Sequence, residues 1–101
     1  MTTARLAKPI LIRRVVSSGM APKLRPGQLV LATRFFRKLH PGQVVIITHD
    51  DKELIKRIEE VKDDQVFVVG DNLEASTDSR QFSWLSREAV IGRVFWPNLA
   101  K

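Results

Sequence analysis

Residues 41–69 read PGQVVIITHDDKELIKRIEEVKDDQVFVV, and this stretch decides the expected fold. Its opening Pro-Gly pair favours a turn, because proline fixes φ and glycine tolerates positive φ. The β-branched run at 43–48 then predicts a strand. Residues 54–61 fit helical spacing almost as well as strand spacing, but the Asp63-Asp64 pair followed by an apolar run at 65–69 is typical of a hairpin. We therefore predict strands at 54–61 and at 65–69.

Short apolar runs separated by turns continue on either side of this stretch. The other predicted elements are strands at residues 10–16, 28–33 and 90–96 and one helical turn at 83–88, with Ser83 or Ser86 as its N-cap. Several short strands with little helix predict a mainly β domain, a small coiled or barrel-like β-sheet. With 101 residues the chain fits one domain. We expect its core at 10–97, between terminal tails at 1–9 and 98–101.

Charge is distributed unevenly along the chain. Residues 1–49 carry nine basic side chains and no acidic one, whereas residues 50–101 carry eight basic and eleven acidic side chains, so the halves are +9 and −3. This asymmetry favours an anionic partner, which is an acidic client polypeptide, an anionic membrane surface or, as the least favoured of the three, nucleic acid. The alternative is a solvated basic face with no partner. The absence of cysteine excludes disulfides, thiolate metal sites and thiol nucleophiles.

Hydropathy gives no sign of export or membrane insertion. No apolar run approaches the roughly 20 residues that a membrane-spanning helix requires. Arg13 and Arg14 interrupt the apolar segment at 9–16, which otherwise is the best candidate for a secretory signal. We therefore expect a cytoplasmic protein, with peripheral contact to a membrane as the alternative.

Lys56 is the first residue that suggests chemistry. In a strand, Lys56 shares a face with Leu54 and Ile58. Aliphatic neighbours remove water from an ammonium group, which disfavours its charged form and lowers its pKa. A lysine of this kind can act as a general base near neutral pH. The alternative is that the aliphatic stem lies along the sheet and the ammonium group stays in solvent.

The segment from Gly70 to Arg80 reads GDNLEASTDSR and is rich in side chains that bind backbone groups. Asp78 and Arg80 are spaced to pair with each other. An elaborate turn without function is one alternative. Calcium binding through carboxylate and amide oxygens is another, but the spacing of an EF-hand is missing, so we expect no metal.

Two further segments have a functional and a structural interpretation. Residues 17–22, Ser-Ser-Gly-Met-Ala-Pro, predict a tight turn whose backbone N–H groups are candidates for an oxyanion hole. Residues 34–38 interleave phenylalanine with arginine and lysine, as surfaces for single-stranded nucleic acid do, or they end a strand whose phenylalanines cover the core. His40 and His49 are predicted in solvent-facing loops and suggest no ligand set.

Together these segments resemble the type I signal peptidase family. The family's first box, roughly Ser-Gly-Ser-Met-x-Pro, is similar to residues 17–22, its Lys-Arg pair to Lys56-Arg57, and its box Gly-Asp-Asn-x-x-x-Ser-x-Asp-Ser-Arg to residues 70–80. The closing segment at 91–97 is also similar. The resemblance covers about residues 10–97. It implies a coiled β-sheet scaffold shared with LexA-type repressors.

The resemblance also implies a role for each site residue. Family members cleave peptide bonds with a serine nucleophile and a lysine general base. Gly19 occupies the nucleophile position and has no hydroxyl, and Ser18 is the possible substitute. Lys56 corresponds to the base. Ser76 corresponds to the residue that orients the lysine, and Ser17 to the hydroxyl of the oxyanion hole. The supporting residues implied by the resemblance are Met20, Pro22, Asp71, Asn72, Asp78 and Arg80.

The function implied is that of a serine endopeptidase that removes a leader from a protein client bound as an extended strand. Without a membrane anchor, the chain resembles the small soluble branch that includes the maturation proteases of nickel-type superoxide dismutase. Because of Gly19 we expect weak or absent activity, and no cofactor. A catalytically inactive polypeptide-binding homologue is one alternative. A basic nucleic-acid-binding β-domain is the second, and it rests only on the basic patch and residues 34–38.

Overall fold

The computed structural model describes residues 9–74 and 77–100 of the chain. The strands are β1 (Ile10–Arg14), β2 (Leu29–Thr33), β3 (Val44–His49), β4 (Lys52–Lys62), β5 (Gln65–Val69), β6 (Leu85–Ser86) and β7 (Val90–Trp96). One short helix, α1 (Ser79–Phe82), and one 3₁₀ turn (Arg87–Ala89) lie between β5 and β7. The predicted mainly β fold is therefore confirmed. None of the helices among these residues is long and apolar enough to span a membrane.

All seven strands form one antiparallel sheet in the order β1-β2-β7-β3-β4-β5-β6. The sheet is coiled, as expected, but the strand pairing does not close it into a barrel. β4 is eleven residues long and serves two neighbours. Its first part pairs with β3 from Lys52 to Arg57, and its second part pairs with β5 from Arg57 to Lys62. The register shifts between Ile58 and Glu60, at a bulge that bends the strand.

The segment 54–61 is strand, not helix, because its residues up to Arg57 pair with β3 and its residues from Arg57 onward pair with β5. The hairpin predicted at Asp63-Asp64 joins β4 to β5, and Asp63 has a φ of 53°. The two Pro-Gly pairs also form the expected turns. Gly27 and Gly42 have φ values of 98° and 95°, a conformation that glycine tolerates without steric cost.

Core side chains lie on both faces of the sheet. β3 shows why, because Val45 and Ile47 belong to one buried cluster whereas Val44 and Ile46 belong to two others. A strand that is covered on both faces reads as a continuous apolar run. The first cluster consists of Leu39, Val45, Ile47, Ile58, Val66, Val68 and Val90. The clusters on the other face contain Val15, Met20, Leu24, Val30, Val44 and Leu99, and Leu11, Ala32 and Ile46.

The helical turn predicted at 83–88 is confirmed in part, because Ser86 is the N-cap of the 3₁₀ turn Arg87–Ala89. The helix α1 just before it was not predicted, and Asp78 is its N-cap. The Asp78 carboxylate accepts from the Arg80 N–H, and the Gln81 side chain accepts from the Asp78 N–H, which forms a capping box. Ser83 ends this helix with a φ of 74°, and Ser86 caps the following 3₁₀ turn.

Two expectations for aromatic and histidine side chains also change. His49 does not lie in a solvent-facing loop, because it ends β3 and its ring stacks on Phe82 with 4.1 Å between centroids. His40 is exposed, as predicted. In the segment 34–38, Phe36 packs against the core and the Arg87 guanidinium lies over its ring, whereas Phe35 is exposed.

Candidate active site

The turn at 17–22 and the loop that follows β5 lie against each other. The Asn72 N–H donates to the Gly19 carbonyl at 2.8 Å, and the Asn72 side-chain amide donates to the Ser18 carbonyl at 3.0 Å. The Asp71 N–H donates to the sulfur of Met20 at 3.4 Å. These contacts join two segments that are about fifty residues apart in sequence.

Gly19 is buried in this turn, and its neighbours Ser17 and Ser18 are exposed. The Gly19 N–H donates to the Ser17 hydroxyl at 3.4 Å. The two donors that the resemblance assigns to an oxyanion hole, this N–H and this hydroxyl, therefore lie side by side. Ser18 holds the turn through its backbone, because its carbonyl also accepts from the Ala21 N–H at 3.1 Å. Pro22 follows a cis peptide bond.

Lys56 lies in the middle of β4 and is only 4% exposed. In the sheet Lys56 is paired with Val45, a residue of the first core cluster. The Lys56 side chain therefore leaves the strand on the face that this cluster covers. Burial lowers the pKa of Lys56 below its usual value of 10.5. The nearby Asp78 carboxylate opposes this change, and the Arg80 guanidinium adds to it. The position thus has the environment that a lysine base requires.

Asp78 organises the loop around Lys56. Its carboxylate accepts from the Gly70 N–H at 2.9 Å, where β5 ends. It also forms an ion pair with Arg80, whose Nε donates to it at 2.8 Å. The pairing expected from the spacing of these two residues is therefore present. Next to Asp78, the buried Ser79 hydroxyl accepts from the Val68 N–H at 3.0 Å and fastens α1 to β5.

Arg57, the neighbour of Lys56, has a structural role that sequence reasoning missed. Its guanidinium binds the Asp71 carboxylate through two hydrogen bonds of 2.9 and 2.8 Å. The two side chains are 3% and 8% exposed. Arg57 also donates to the carbonyls of Gly42 and Leu99, each at 2.7 Å. The Lys-Arg pair in the sequence was the available signal, because a buried arginine beside the base needs an acidic partner.

Two of the predictions concern residues that the structure does not describe. Ser76, expected to orient Lys56, lies outside the described residues, as do residues 1–8 of the predicted N-terminal tail. Among the residues that the structure describes, no three histidine, aspartate or glutamate side chains are grouped to hold a metal ion.

A cleft of about 240 Å³ lies beside the turn. It is lined by Arg13, Arg14, Val15, Val16, Ser17, Met20, Ile46, Glu53, Leu54 and Ile55. Its two sides are formed by β1 with the residues after it and by the first part of β4, and Ile46 of β3 lies between them. Within the described residues β1 pairs with β2 alone, and β4 pairs with β3 alone before Arg57. The cleft therefore lies between two strand edges whose backbone N–H and C=O groups face no further strand among the described residues.

Residues 58–99 match the family model of signal peptidase, peptidase S26. The matched segment contains the loop at 70–80, with Asp78 and Arg80, and the closing strand β7. It begins two residues after Lys56. A comparison with curated proteins finds no match. The family match and the mainly β sheet together support a small β domain of the signal peptidase type.

Proposed function

We propose that this protein binds an extended polypeptide beside Lys56 in a site of the signal peptidase type, and that it cleaves this polypeptide weakly or not at all. The observation that carries the proposal is the buried Lys56, whose pKa is lowered by its surroundings. Burying an ammonium group in an apolar position costs stability, so a buried lysine points to a function that offsets this cost in selection. A general base that must accept a proton from a hydroxyl is such a purpose.

Each neighbouring group has a role in this proposal. In an active member, a serine at position 19 attacks the peptide carbonyl and gives its proton to Lys56. The Ser17 hydroxyl and the N–H of residue 19 stabilise the negative charge that develops on the carbonyl oxygen. The family resemblance assigns the orientation of the lysine to Ser76, which lies outside the described residues. Gly19 supplies only a hydrogen atom, so the first step has no nucleophile at its expected place.

The client polypeptide occupies the cleft as an added strand. The unpaired edge of β1 and the edge of β4 before Arg57 supply backbone donors and acceptors on its two sides. Such main-chain pairing gives affinity with little demand on sequence. The apolar side chains of Met20, Ile46 and Ile55 form a floor for small client side chains.

The decisive experiment restores the missing hydroxyl. In the described residues, Gly27 and Gly42 are the glycines with positive φ, so Gly19→Ser requires no left-handed serine. We expect Gly19→Ser to create peptidase activity on leader peptides, detected as product masses. Adding Lys56→Ala should remove this activity, and Gly19→Ala, which fills the position without a hydroxyl, should stay inactive. A folded Gly19→Ser variant that cleaves no leader peptide contradicts the proposed chemistry.

Ser18 is tested separately, because it retains a hydroxyl one residue away. A misplacement of about 1 Å can cost about 100-fold in rate, so we expect no efficient substitution. An acylating β-lactam or lipopeptide probe, followed by mass spectrometry, reports whether Ser18 reacts. Acylation of Ser18 that depends on Lys56 would show that the chain keeps residual activity.

We also propose a first client and a location for the protein. The leader of a nickel-type superoxide dismutase is the first client to test, because the chain resembles the branch that matures this enzyme. The absence of cysteine suits a reducing compartment, and we place the protein in the cytoplasm.

A further inference from the structure

Arg13 on β1 and Glu53 on β4 form an ion pair across the cleft. The Arg13 Nε donates to the Glu53 Oε1 at 2.5 Å, and its Nη2 donates to Oε2 at 3.1 Å. In the sheet, β2, β7 and β3 separate β1 from β4. The ion pair therefore joins two strands that meet because the sheet curls. It lies between the same two edges that receive the client in the proposed function.

The ion pair is weak enough for a client to separate it. The two side chains are 37% and 40% exposed. Ion pairs with this exposure contribute little to stability, because water screens both charges. The main-chain hydrogen bonds of an inserted strand can therefore replace the contact. Both charges then remain beside the inserted strand.

The charges that line the cleft favour a negative client. They are the two arginines Arg13 and Arg14 and the single carboxylate of Glu53. Arg14 is held beside the cleft by its hydrogen bond to the Gly27 carbonyl, at 2.7 Å. A carboxylate on the client can take the place of Glu53 as the partner of Arg13. A client ammonium group can pair with Glu53, but it then faces two guanidinium groups, so the net positive charge of the cleft disfavours it.

We propose that Arg13 and Glu53 select clients with an acidic side chain, an inference that rests on the proposed polypeptide site. Arg13 precedes position 19 by six residues, which span at most roughly 21 Å of extended chain. The acidic residue therefore lies within about six residues of the client bond beside position 19. Arg13 attracts the client carboxylate, and Glu53 competes with that carboxylate for Arg13.

Equilibrium binding to the natural chain tests this, because Gly19 keeps the peptides intact. Fluorescent peptides built from alanine and valine carry one Asp, Asn or Lys at each position in turn, and anisotropy reports the Kd. At one position we expect Asp to bind about 3- to 10-fold more tightly than Asn, and Lys more weakly than Asn. Arg13→Gln should abolish this preference and Glu53→Gln should increase it. Arg34→Gln, an exposed arginine outside the cleft, is the matched control.

Other results would overturn the charge selection alone or the polypeptide site as well. Equal affinity for Asp, Asn and Lys peptides, or a preference that Arg13→Gln does not change, overturns the selection but leaves the polypeptide site. A preference that Arg34→Gln reduces equally shows a general effect of net charge and also overturns it. Absence of peptide binding overturns the proposed function and this inference together. Vesicles of anionic lipid that bind through Arg13, without any charge preference among peptides, assign the arginine to a membrane surface instead.

Discussion

Lys56 is a buried lysine in the middle of β4. Its folded-state pKa is lower than its unfolded-state pKa, because burial disfavours the ammonium form. Between these two pKa values the unfolded chain binds more protons than the folded chain. Stability contributed by this residue therefore rises with pH through this interval and is lost as pH falls through it. The lysine reduces stability at neutral pH, which is compatible with a role in chemistry.

Replacing Lys56 by methionine tests this cost. We expect Lys56→Met to increase the free energy of unfolding near neutral pH by on the order of 1 kcal/mol, because it removes a buried charge and keeps the apolar volume. The gain should shrink as pH approaches the usual lysine pKa of 10.5. Urea unfolding across this range is the measurement. Lys52→Met, on the exposed start of the same strand, is the control and should change little. A gain that is independent of pH would contradict the assigned burial effect.

At the scale of elements, the Arg57–Asp71 pair holds β4, the loop after β5 and the end of the chain together. Arg57 contacts Gly42 and Leu99 as well as Asp71. Leu99 is itself part of the core, so packing continues past β7. The same loop carries the Asn72 contacts to the Gly19 turn. The ion pair thus fixes the loop that contacts the Gly19 turn.

We expect Asp71→Asn to destabilise the fold by about 3–5 kcal/mol, because it leaves the buried Arg57 charge without its carboxylate. The substitution is nearly isosteric, so packing changes little. The control is Glu53→Gln, which breaks an ion pair of exposed residues and should cost less than about 1 kcal/mol. Chemical denaturation of both variants gives the comparison. Similar losses for the two variants would show that burial does not set the strength of the Arg57 pair.

The elements that could be predicted from the sequence are those with strong local patterns. Strands β3, β4 and β5 follow from apolar runs and an Asp-Asp turn, and the Pro-Gly pairs mark two turns. Helix α1 was missed because its signal, Asp78 three residues before Gln81, lay inside a loop considered for chemistry. The pairing of Asp78 with Arg80 was predictable because the residues are neighbours in sequence. The pairing of Arg57 with Asp71 was not, because only the folded sheet brings β4 beside that loop.

At the scale of the whole molecule, the sheet curls without closing. β1 lies at one end of the strand order. It faces β4 across the cleft, although three other strands lie between β1 and β4 in the sheet. The register shift within β4 contributes to this bend. Periodicity in the sequence predicted a coiled or barrel-like sheet but could not decide closure, because closure depends on the angles between strands. The open edges follow from that geometry.

Hydrogen exchange can test whether these edges receive the client. With a saturating peptide we expect slower amide exchange in β1 and in residues 52–56, because new main-chain hydrogen bonds protect them. The control is β6, which is at the opposite end of the strand order and should exchange as before. Slower exchange at β6, or an equal effect throughout the chain, would contradict binding between β1 and β4.

Gly19 has a consequence for how the protein acts on its client. An enzyme changes many clients in succession, because each cleavage frees the site. On the proposed function, a client held beside Gly19 keeps its peptide bond, so its dissociation rate alone determines how long the site stays occupied. On the proposed function, the effect in the cell therefore scales with the number of copies of the protein. Measurements of protein and client abundance then matter more than measurements of turnover.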